Sequence, residues 1–271
     1  MPGQRNAHVS LSGPVSHLRR RIQALDEMLT FRRVSSSVEP LSFIVWRMSE
    51  VTDSSMHAAG DPVLGPDIID EIILESKALE QLARTDPEIV SGPLDATAQL
   101  WTSTGRQRAH SNSRMLAEFF RSISADPPDR RGVNPSSGGL FTSTMGSEGY
   151  SSWQAYLELF SNSVLYPRPW HSWRLAIRND ASSIAEVASA RDWFALCLAN
   201  PLEQDGLIYP DWHRIASTYS AVHLTLRAIA GLQGFVVSDG EAFVAPAFWD
   251  VESTLWLTWC FGQARLEVVR A

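Results

Sequence analysis

The sequence predicts an α+β protein with a mixed or split, twisted β-sheet and flanking helices. First, 44% of the 271 residues are apolar, which is enough for a sizeable core. Second, short segments with strand-like composition alternate with short helical ones beyond residue 139. Third, the sequence contains no Gly-rich nucleotide-binding motif and no βαβ repeat, so a doubly wound parallel sheet is not expected.

The N-terminal region predicts a basic helical extension over residues 1–38. Apolar residues recur at helical spacing over 15–31. Six arginines against two acidic residues give this region a charge of +4, which leaves −11 for the remainder of a chain whose net charge is −7. We expect residues 39–271 to form one α+β domain of catalytic type. Within it, segment 124–139 predicts a flexible loop, because Pro, Gly, Ser and charged residues fill it.

Strands and helices follow one another through the predicted domain. Residues 41–48 are rich in β-branched and aromatic side chains after a proline, and they predict the first strand. An apolar pattern at helical spacing predicts a helix over 66–84. Beyond the loop, we expect strands at 140–143, 172–177, 184–188, 221–226, 234–237, 242–245, 253–261 and 264–269, and helices at 151–160, 190–199 and 210–218.

Composition and charge narrow the possible functions. The chain has no run of eighteen apolar residues and no apolar signal segment at its N-terminus, so we expect a cytoplasmic protein without membrane contact. The negative net charge argues against general nucleic-acid binding. Cys197 and Cys260 stand among apolar residues without a partner at ligand spacing, which predicts buried thiols and no metal site.

Arg47 is the first candidate site residue. Apolar residues flank it in the predicted first strand, and a buried guanidinium is costly unless an anion pairs with it. The planar donors of Arg suit a phosphate, which they bind through two parallel hydrogen bonds. The alternative is an arginine whose head group reaches solvent or a structural carboxylate.

Two further groups of polar residues fall in strand-like segments. Asp250 and Glu252 are two residues apart, so both carboxylates project from the same face of an extended segment. Close carboxylates raise at least one pKa, which suits acid, base or cation-stabilising chemistry, although a solvated strand end would show the same pattern. The hydroxyls of Thr142, Ser143 and Thr144 suit the orientation of a neighbouring carboxylate, or they reflect ordinary β-propensity.

The order of these three groups resembles the Arg/Ser-Thr-Ser/Glu signature of the ADP-ribosyltransferase superfamily of the cholera-toxin type. Here the signature would consist of Arg47, Thr-Ser-Thr at 142–144 and Asp-Val-Glu at 250–252. The resemblance implies an ADP-ribosyltransferase-like core, NAD as the substrate and no metal ion.

The resemblance also implies roles for residues that bind NAD. Arg47 would hold the pyrophosphate and the nicotinamide ribose, whereas Thr142, Ser143 and Thr144 would support the pocket and the catalytic glutamate. Phe141, next to the hydroxyl motif, could stack on a nicotinamide or purine ring.

For catalysis, the resemblance implies that Glu252 contacts the ribose 2′-hydroxyl, with Asp250 as its preceding partner. Glu241, in an Asp-Gly-Glu turn, is the second candidate for the catalytic glutamate. The sequence leaves the choice between Glu252 and Glu241 open.

The predicted function is therefore ADP-ribosyl transfer or NAD glycohydrolysis, a glycosyltransferase reaction whose oxocarbenium-like state a nearby carboxylate stabilises. The acceptor, whether protein, nucleic acid or small molecule, stays open. Two alternatives remain. Paired carboxylates also serve glycoside or nucleoside hydrolysis without NAD. The C-terminal half, which holds eight of the ten tryptophans from Trp153 onward, could instead form the binding face of a non-enzymatic interaction protein.

Overall fold

The computed structural model of the chain describes residues 12–32, 41, 44–45, 62–105, 117–118, 120–121, 123, 138–178 and 183–270. Arg47 and residues 124–137 of the predicted loop lie outside the described residues.

The described residues form two mixed β-sheets and eight helices, which confirms the α+β class. The strands are β1 (Val63–Leu64), β2 (Gln99–Ser103), β3 (Leu140–Thr144), β4 (Trp170–Ile177), β5 (Ile184–Val187), β6 (Pro201–Gln204), β7 (Leu207–Pro210), β8 (Ala221–Leu224), β9 (Val236–Ser238), β10 (Phe243–Val244), β11 (Ser253–Trp256) and β12 (Phe261–Arg270). The helices are α1 (Ser12–Arg32), α2 (Pro66–Leu74), α3 (Lys77–Ala83), α4 (Pro87–Val90), α5 (Ser152–Leu159), α6 (Ala190–Ala199), α7 (Trp212–Thr218) and α8 (Leu226–Leu232).

The larger sheet has seven strands in the order β12-β4-β2-β3-β11-β8-β5. Its neighbours pair antiparallel except β8 and β5, which run parallel. The smaller sheet has the order β1-β9-β10-β7-β6. In the larger sheet β11 lies between β3 and β8, so residues of three chain segments far apart in sequence become neighbours there.

The helices pack with the sheets around one large apolar core. Helix α1 shows the predicted amphipathic pattern, because Leu18, Ile22 and Leu25 recur at helical spacing and all three are buried in this core. Helices α2 and α3 pack against α1, and α8 packs against α2. Cys197 and Cys260 are buried free thiols, as expected.

The predicted first strand is wrong at the residues that the structure describes. Leu41, Ile44 and Val45 are helical rather than extended. Their spacing of three and four residues places them on one helical face, and all three are buried in the main core. Burial of this face therefore outweighs the β-propensity of the segment.

Local capping explains two further differences. The helix expected over 66–84 is divided into α2 and α3, because the Ser76 hydroxyl accepts a hydrogen bond from Leu79 N and caps a new helix. The strand expected to reach residue 226 ends at Leu224, since Thr225 caps α8 by accepting from Ala228 N. Helix α6 has the predicted bounds of 190–199.

The strands expected at 234–237 and 242–245 correspond to β9 and β10, which form an antiparallel hairpin, whereas the hairpin of β6 and β7 was not predicted. A sequence signal for the second hairpin exists. Asp205 and Gly206 both have positive φ, of 51° and 79°, which is the geometry that an Asp-Gly pair favours in a two-residue hairpin turn.

Gly231 offers a test of the packing between α8 and α2. A Cβ atom at this position would lie 2.6 Å from Ile69 Cγ2, so Gly231→Ala is expected to lower the free energy of unfolding by about 1–3 kcal/mol. Gly13→Ala in α1 is the matched control, because a Cβ atom there meets nothing within 4 Å. Urea unfolding of both variants checks this, and an equal effect of the two substitutions would contradict the packing.

Candidate functional site

A pocket of about 260 Å³ opens where β3, α5 and the segment before β11 meet. Four aromatic side chains contribute to its wall, together with one carboxylate and one threonine. These six residues, which we call the aromatic pocket, are Phe141, Trp153, Phe248, Trp249, Asp250 and Thr142.

The irregular segment between β10 and β11 shapes one side of the aromatic pocket. Phe248 has a φ of 45°, in the left-handed region that a phenylalanine rarely occupies. Next to it, the buried Trp249 packs edge to face with Phe141, with ring centroids 5.3 Å apart. Phe248 packs against the main core beside the buried Trp249, which holds this strained backbone, and such strain is concentrated at binding sites.

Helix α5 supplies a further aromatic residue of the pocket, Trp153. Trp153 stacks on Tyr156 at 5.2 Å between ring centroids and meets Tyr166 edge to face at 5.6 Å. The indole N–H of Trp249 has no hydrogen-bond acceptor among the described residues although it is buried.

Asp250 is the half-buried carboxylate of the aromatic pocket. Gln233 Nε2 donates to Asp250 Oδ1 at 3.4 Å, and the backbone carbonyl of Gln233 accepts from Arg21 Nη1 at 2.7 Å. Arg21 is a buried residue of α1, and burial lowers its pKa to about 10. Burial raises the pKa of the Tyr166 phenol, and the negative charge of Asp250 raises it further by a smaller amount.

Glu252 occupies a second, enclosed environment directly behind the hydroxyl motif. Its side chain is 0% exposed. Oε1 accepts from Thr144 Oγ1 at 2.8 Å, and Oε2 accepts from Ser143 Oγ and Ser152 Oγ at 2.9 Å each. Thr144 N lies 3.1 Å from both carboxylate oxygens. Hydroxyl groups and a backbone N–H therefore surround both oxygens of this carboxylate.

Ser152 is one residue of this enclosed cluster that sequence reasoning missed. Serines at the start of a helix are typical caps, and Ser151 does form a capping box with Gln154. Ser152, the first residue of the helix, carries its hydroxyl to the Glu252 carboxylate instead. The backbone N–H of Trp153 donates to Ser143 Oγ at 3.3 Å, so the start of α5 is fixed to both the hydroxyl motif and the pocket wall.

His223 completes the cluster from β8. Its Nε2 lies 3.2 Å from Glu252 Oε1, and its Nδ1 lies 2.7 Å from Glu186 Oε2. Burial alone would lower the pKa of His223, but the hydrogen bonds and charges of Glu186 and Glu252 outweigh it and raise the pKa to about 9. The sequence could not reveal this, because Glu186 reaches His223 from strand β5 and Glu252 reaches it from the segment before β11.

The structure therefore brings some predicted site residues together and separates others. Ser143, Thr144 and Glu252 are in direct contact, whereas Asp250 lines the aromatic pocket and belongs to a bend before β11, where the alternation of a strand does not apply. Glu241 is exposed in the turn between β9 and β10, in the smaller sheet. The roles of these residues in binding or cleaving NAD stay predictions.

Thr142 and Phe141 lie at the boundary between the two environments. Both line the aromatic pocket, while the Thr142 hydroxyl also accepts from Trp256 Nε1 at 2.8 Å and donates to Gln99. Strand β3 thus presents Phe141 and Thr142 to the pocket, and its last two residues bind Glu252.

Within the described ranges, no cluster of three or more His, Cys, Asp or Glu side chains could hold a metal ion. No helix in the described part of the chain is long and apolar enough to cross a membrane. Comparison of the chain with protein-family models, with curated proteins and with solved structures finds no match.

Glu252→Gln tests the enclosed cluster. The amide would direct N–H groups at the donors that now bind the carboxylate, and it would remove a negative charge beside His223, so we expect a loss of about 3 kcal/mol or more in the free energy of unfolding. Glu241→Gln, the same change at an exposed position, is expected to stay within about 0.5 kcal/mol of the wild type. Denaturant unfolding measures both, and a Glu252→Gln protein as stable as the control would show that the cluster does not hold the fold.

Proposed function

We propose that the protein cleaves the bond between nicotinamide and ribose in NAD at the aromatic pocket, as an ADP-ribosyltransferase or an NAD glycohydrolase. The observation that carries this proposal is an aromatic pocket that contains one carboxylate, Asp250. Strand β3 forms part of the pocket wall, and the last two residues of the same strand bind Glu252. We also propose that the fold has an ADP-ribosyltransferase-like core and that the protein is cytoplasmic.

The chemistry of the pocket wall suits the nicotinamide end of NAD. The nicotinamide ring of NAD is planar and positively charged, and aromatic faces together with a carboxylate attract such a ring. The Asp250 carboxylate opposes this charge, while Phe141, Trp153, Phe248 and Trp249 provide the aromatic surface.

The size of the pocket suits one end of the dinucleotide rather than the whole molecule. Sites for drug-sized ligands have volumes of about 300–1,000 Å³. The aromatic pocket has about 260 Å³, so it accommodates the nicotinamide ring and part of its ribose. The rest of NAD would extend out of the pocket along the protein surface.

Cleavage requires a group that stabilises positive charge on the ribose. As the bond between C1′ and the ring nitrogen breaks, its electron pair goes to nicotinamide, which leaves as a neutral base, and C1′ becomes oxocarbenium-like. A carboxylate beside the ribose stabilises this state. Water or an acceptor then attacks C1′ and releases a proton.

We assign contact with the ligand to Asp250 and a positioning role to Glu252. The Glu252 carboxylate is fully enclosed and its oxygens are occupied by donors from β3, α5 and β8, whereas Asp250 lies on the wall of the pocket. Asp250 is the one carboxylate among the described residues that line the pocket. The geometry therefore favours a mechanism with a single carboxylate over hydrolysis by a carboxylate pair.

Asp250→Asn tests the assignment. The amide keeps the shape of the side chain but removes its charge, so we expect nicotinamide release from NAD to fall about 100-fold. Binding of the 1-methylnicotinamide cation should weaken in parallel. Chromatography measures release and calorimetry measures binding. Asp205→Asn, in the exposed turn between β6 and β7, is the matched control and should behave like the wild type.

Two results would overturn this proposal in different ways. A wild-type protein that neither releases nicotinamide nor binds 1-methylnicotinamide rules out NAD as the substrate. Release that is unchanged in the Asp250→Asn protein rules out Asp250 as the ligand-facing carboxylate and returns the catalytic role to Glu252 or Glu241.

A further inference from the structure

His223 is a fully buried imidazole held between two carboxylates. Its side chain is 0% exposed, and it lies on β8 between β5 and β11, where its register partners are Glu186 and Thr254. Nδ1 faces Glu186 Oε2 at 2.7 Å, and Nε2 faces Glu252 Oε1 at 3.2 Å. Within the described part of the chain, Glu186 on β5 and Glu252 on the approach to β11 are the charged side chains that contact this ring.

The two contacts determine the protonation state of the ring. A neutral imidazole has one N–H and one lone pair, so one of its nitrogens would direct a lone pair at a carboxylate oxygen. The doubly protonated imidazolium donates to both carboxylates. It also supplies the positive charge that a buried carboxylate such as Glu252 needs in a low-dielectric interior.

Glu186 connects this buried pair to the protein surface. Its side chain is 33% exposed, in contrast to the fully enclosed Glu252. Its second oxygen, Oε1, accepts from Leu94 N at 2.9 Å, which fixes the orientation of the carboxylate. The cluster of two carboxylates and one imidazolium has a net charge of −1, and the excess negative charge can reside on the carboxylate that reaches solvent.

We infer that Glu186 and His223 form a charged couple that positions Glu252, and through it the β3 wall of the aromatic pocket, so that the site loses its form when His223 is deprotonated. The couple acts through other residues: the imidazolium holds Glu252 against Ser143, Thr144 and Ser152, and β3 carries Phe141 and Thr142 into the pocket. The consequence for catalysis rests on the proposed function, whereas the couple itself does not.

The direction of the pH effect follows from the pKa of His223. In the folded protein the pKa is about 9, above the ordinary value of 6.5 that applies to the unfolded chain. A group with a raised pKa stabilises the fold fully below the unfolded value, and this stabilisation is lost as the pH rises through the folded value. We therefore expect the contribution of His223 to stability to decline between about pH 6.5 and pH 9.

Glu186→Gln tests the couple without reference to any substrate. The amide oxygen can still accept from His223 Nδ1 or from Leu94 N, but the negative charge is removed. NMR titration of the imidazole in protein labelled with ¹³C and ¹⁵N at histidine should show that the substitution lowers the pKa of His223 by about 1 or more. The pH at which stability declines in thermal unfolding should move down with it.

Glu203→Gln is the matched control, because Glu203 is an exposed glutamate on strand β6. It should leave the titration of His223 unchanged. A His223 that titrates near the ordinary value in the wild type, or one whose pKa is the same in the Glu186→Gln protein, would overturn the inference.

The pH profile of nicotinamide release tests the positioning role. Release by the wild type should fall as the pH rises through the measured pKa of His223, and in the Glu186→Gln protein this alkaline limit should move to lower pH by the same amount. An alkaline limit that does not follow the NMR pKa contradicts the positioning role. If the wild type releases no nicotinamide, the proposed function fails, and the NMR and unfolding results alone decide whether the couple exists.

Discussion

The buried carboxylate of Glu252 is the constraint on which the site depends. An ion removed from water is stable only when hydrogen bonds and a compensating charge replace its hydration. Here hydroxyls and a backbone N–H of β3, a hydroxyl of α5 and the imidazole of β8 provide that replacement. Each of these elements therefore has one position in which the charge is satisfied, and a displacement of any of them leaves donors or the carboxylate unpaired.

The hydrogen bonds to Glu252 fix the elements that form the pocket wall as well as those that form the core. Strand β3 and helix α5, which bind Glu252, also carry Phe141 and Trp153 to the pocket wall. Helix α1 is linked to the end of α8, because Arg21 donates to the backbone carbonyls of Ala230 and Gln233. Gln233 Nε2 in turn donates to Asp250 Oδ1 at 3.4 Å, so this residue links the N-terminal helix to the pocket carboxylate.

The sequence predicts the parts of this arrangement that depend on local pattern. Helix α6, with Ser189 as its cap, and the β9–β10 hairpin follow from residues close together in the chain. The hydroxyl motif and Glu252 could be named as site candidates because their residue types suit one another, although 108 residues separate Thr144 from Glu252.

The remaining features depend on long-range contacts that a single sequence does not encode in a readable way. The ring of His223 is placed between Glu186 and Glu252 by the pairing of β8 with β5 and β11. Residues 41, 44 and 45 show a second difficulty. Their β-branched and apolar side chains suit a strand and a buried helix face equally well, and burial in the core determines that they are helical. Burial also distinguishes Asp250 from Glu252, two acidic residues that look equivalent in sequence.

The most direct measurement is a crystal structure of the protein in complex with NAD or with 1-methylnicotinamide. The account predicts the charged ring between Trp153 and Trp249, with the Asp250 carboxylate within about 4–6 Å of it and the Glu252 cluster unchanged behind β3. A ring bound at another surface, or an aromatic pocket that remains closed to the ligand at saturating concentration, would contradict it.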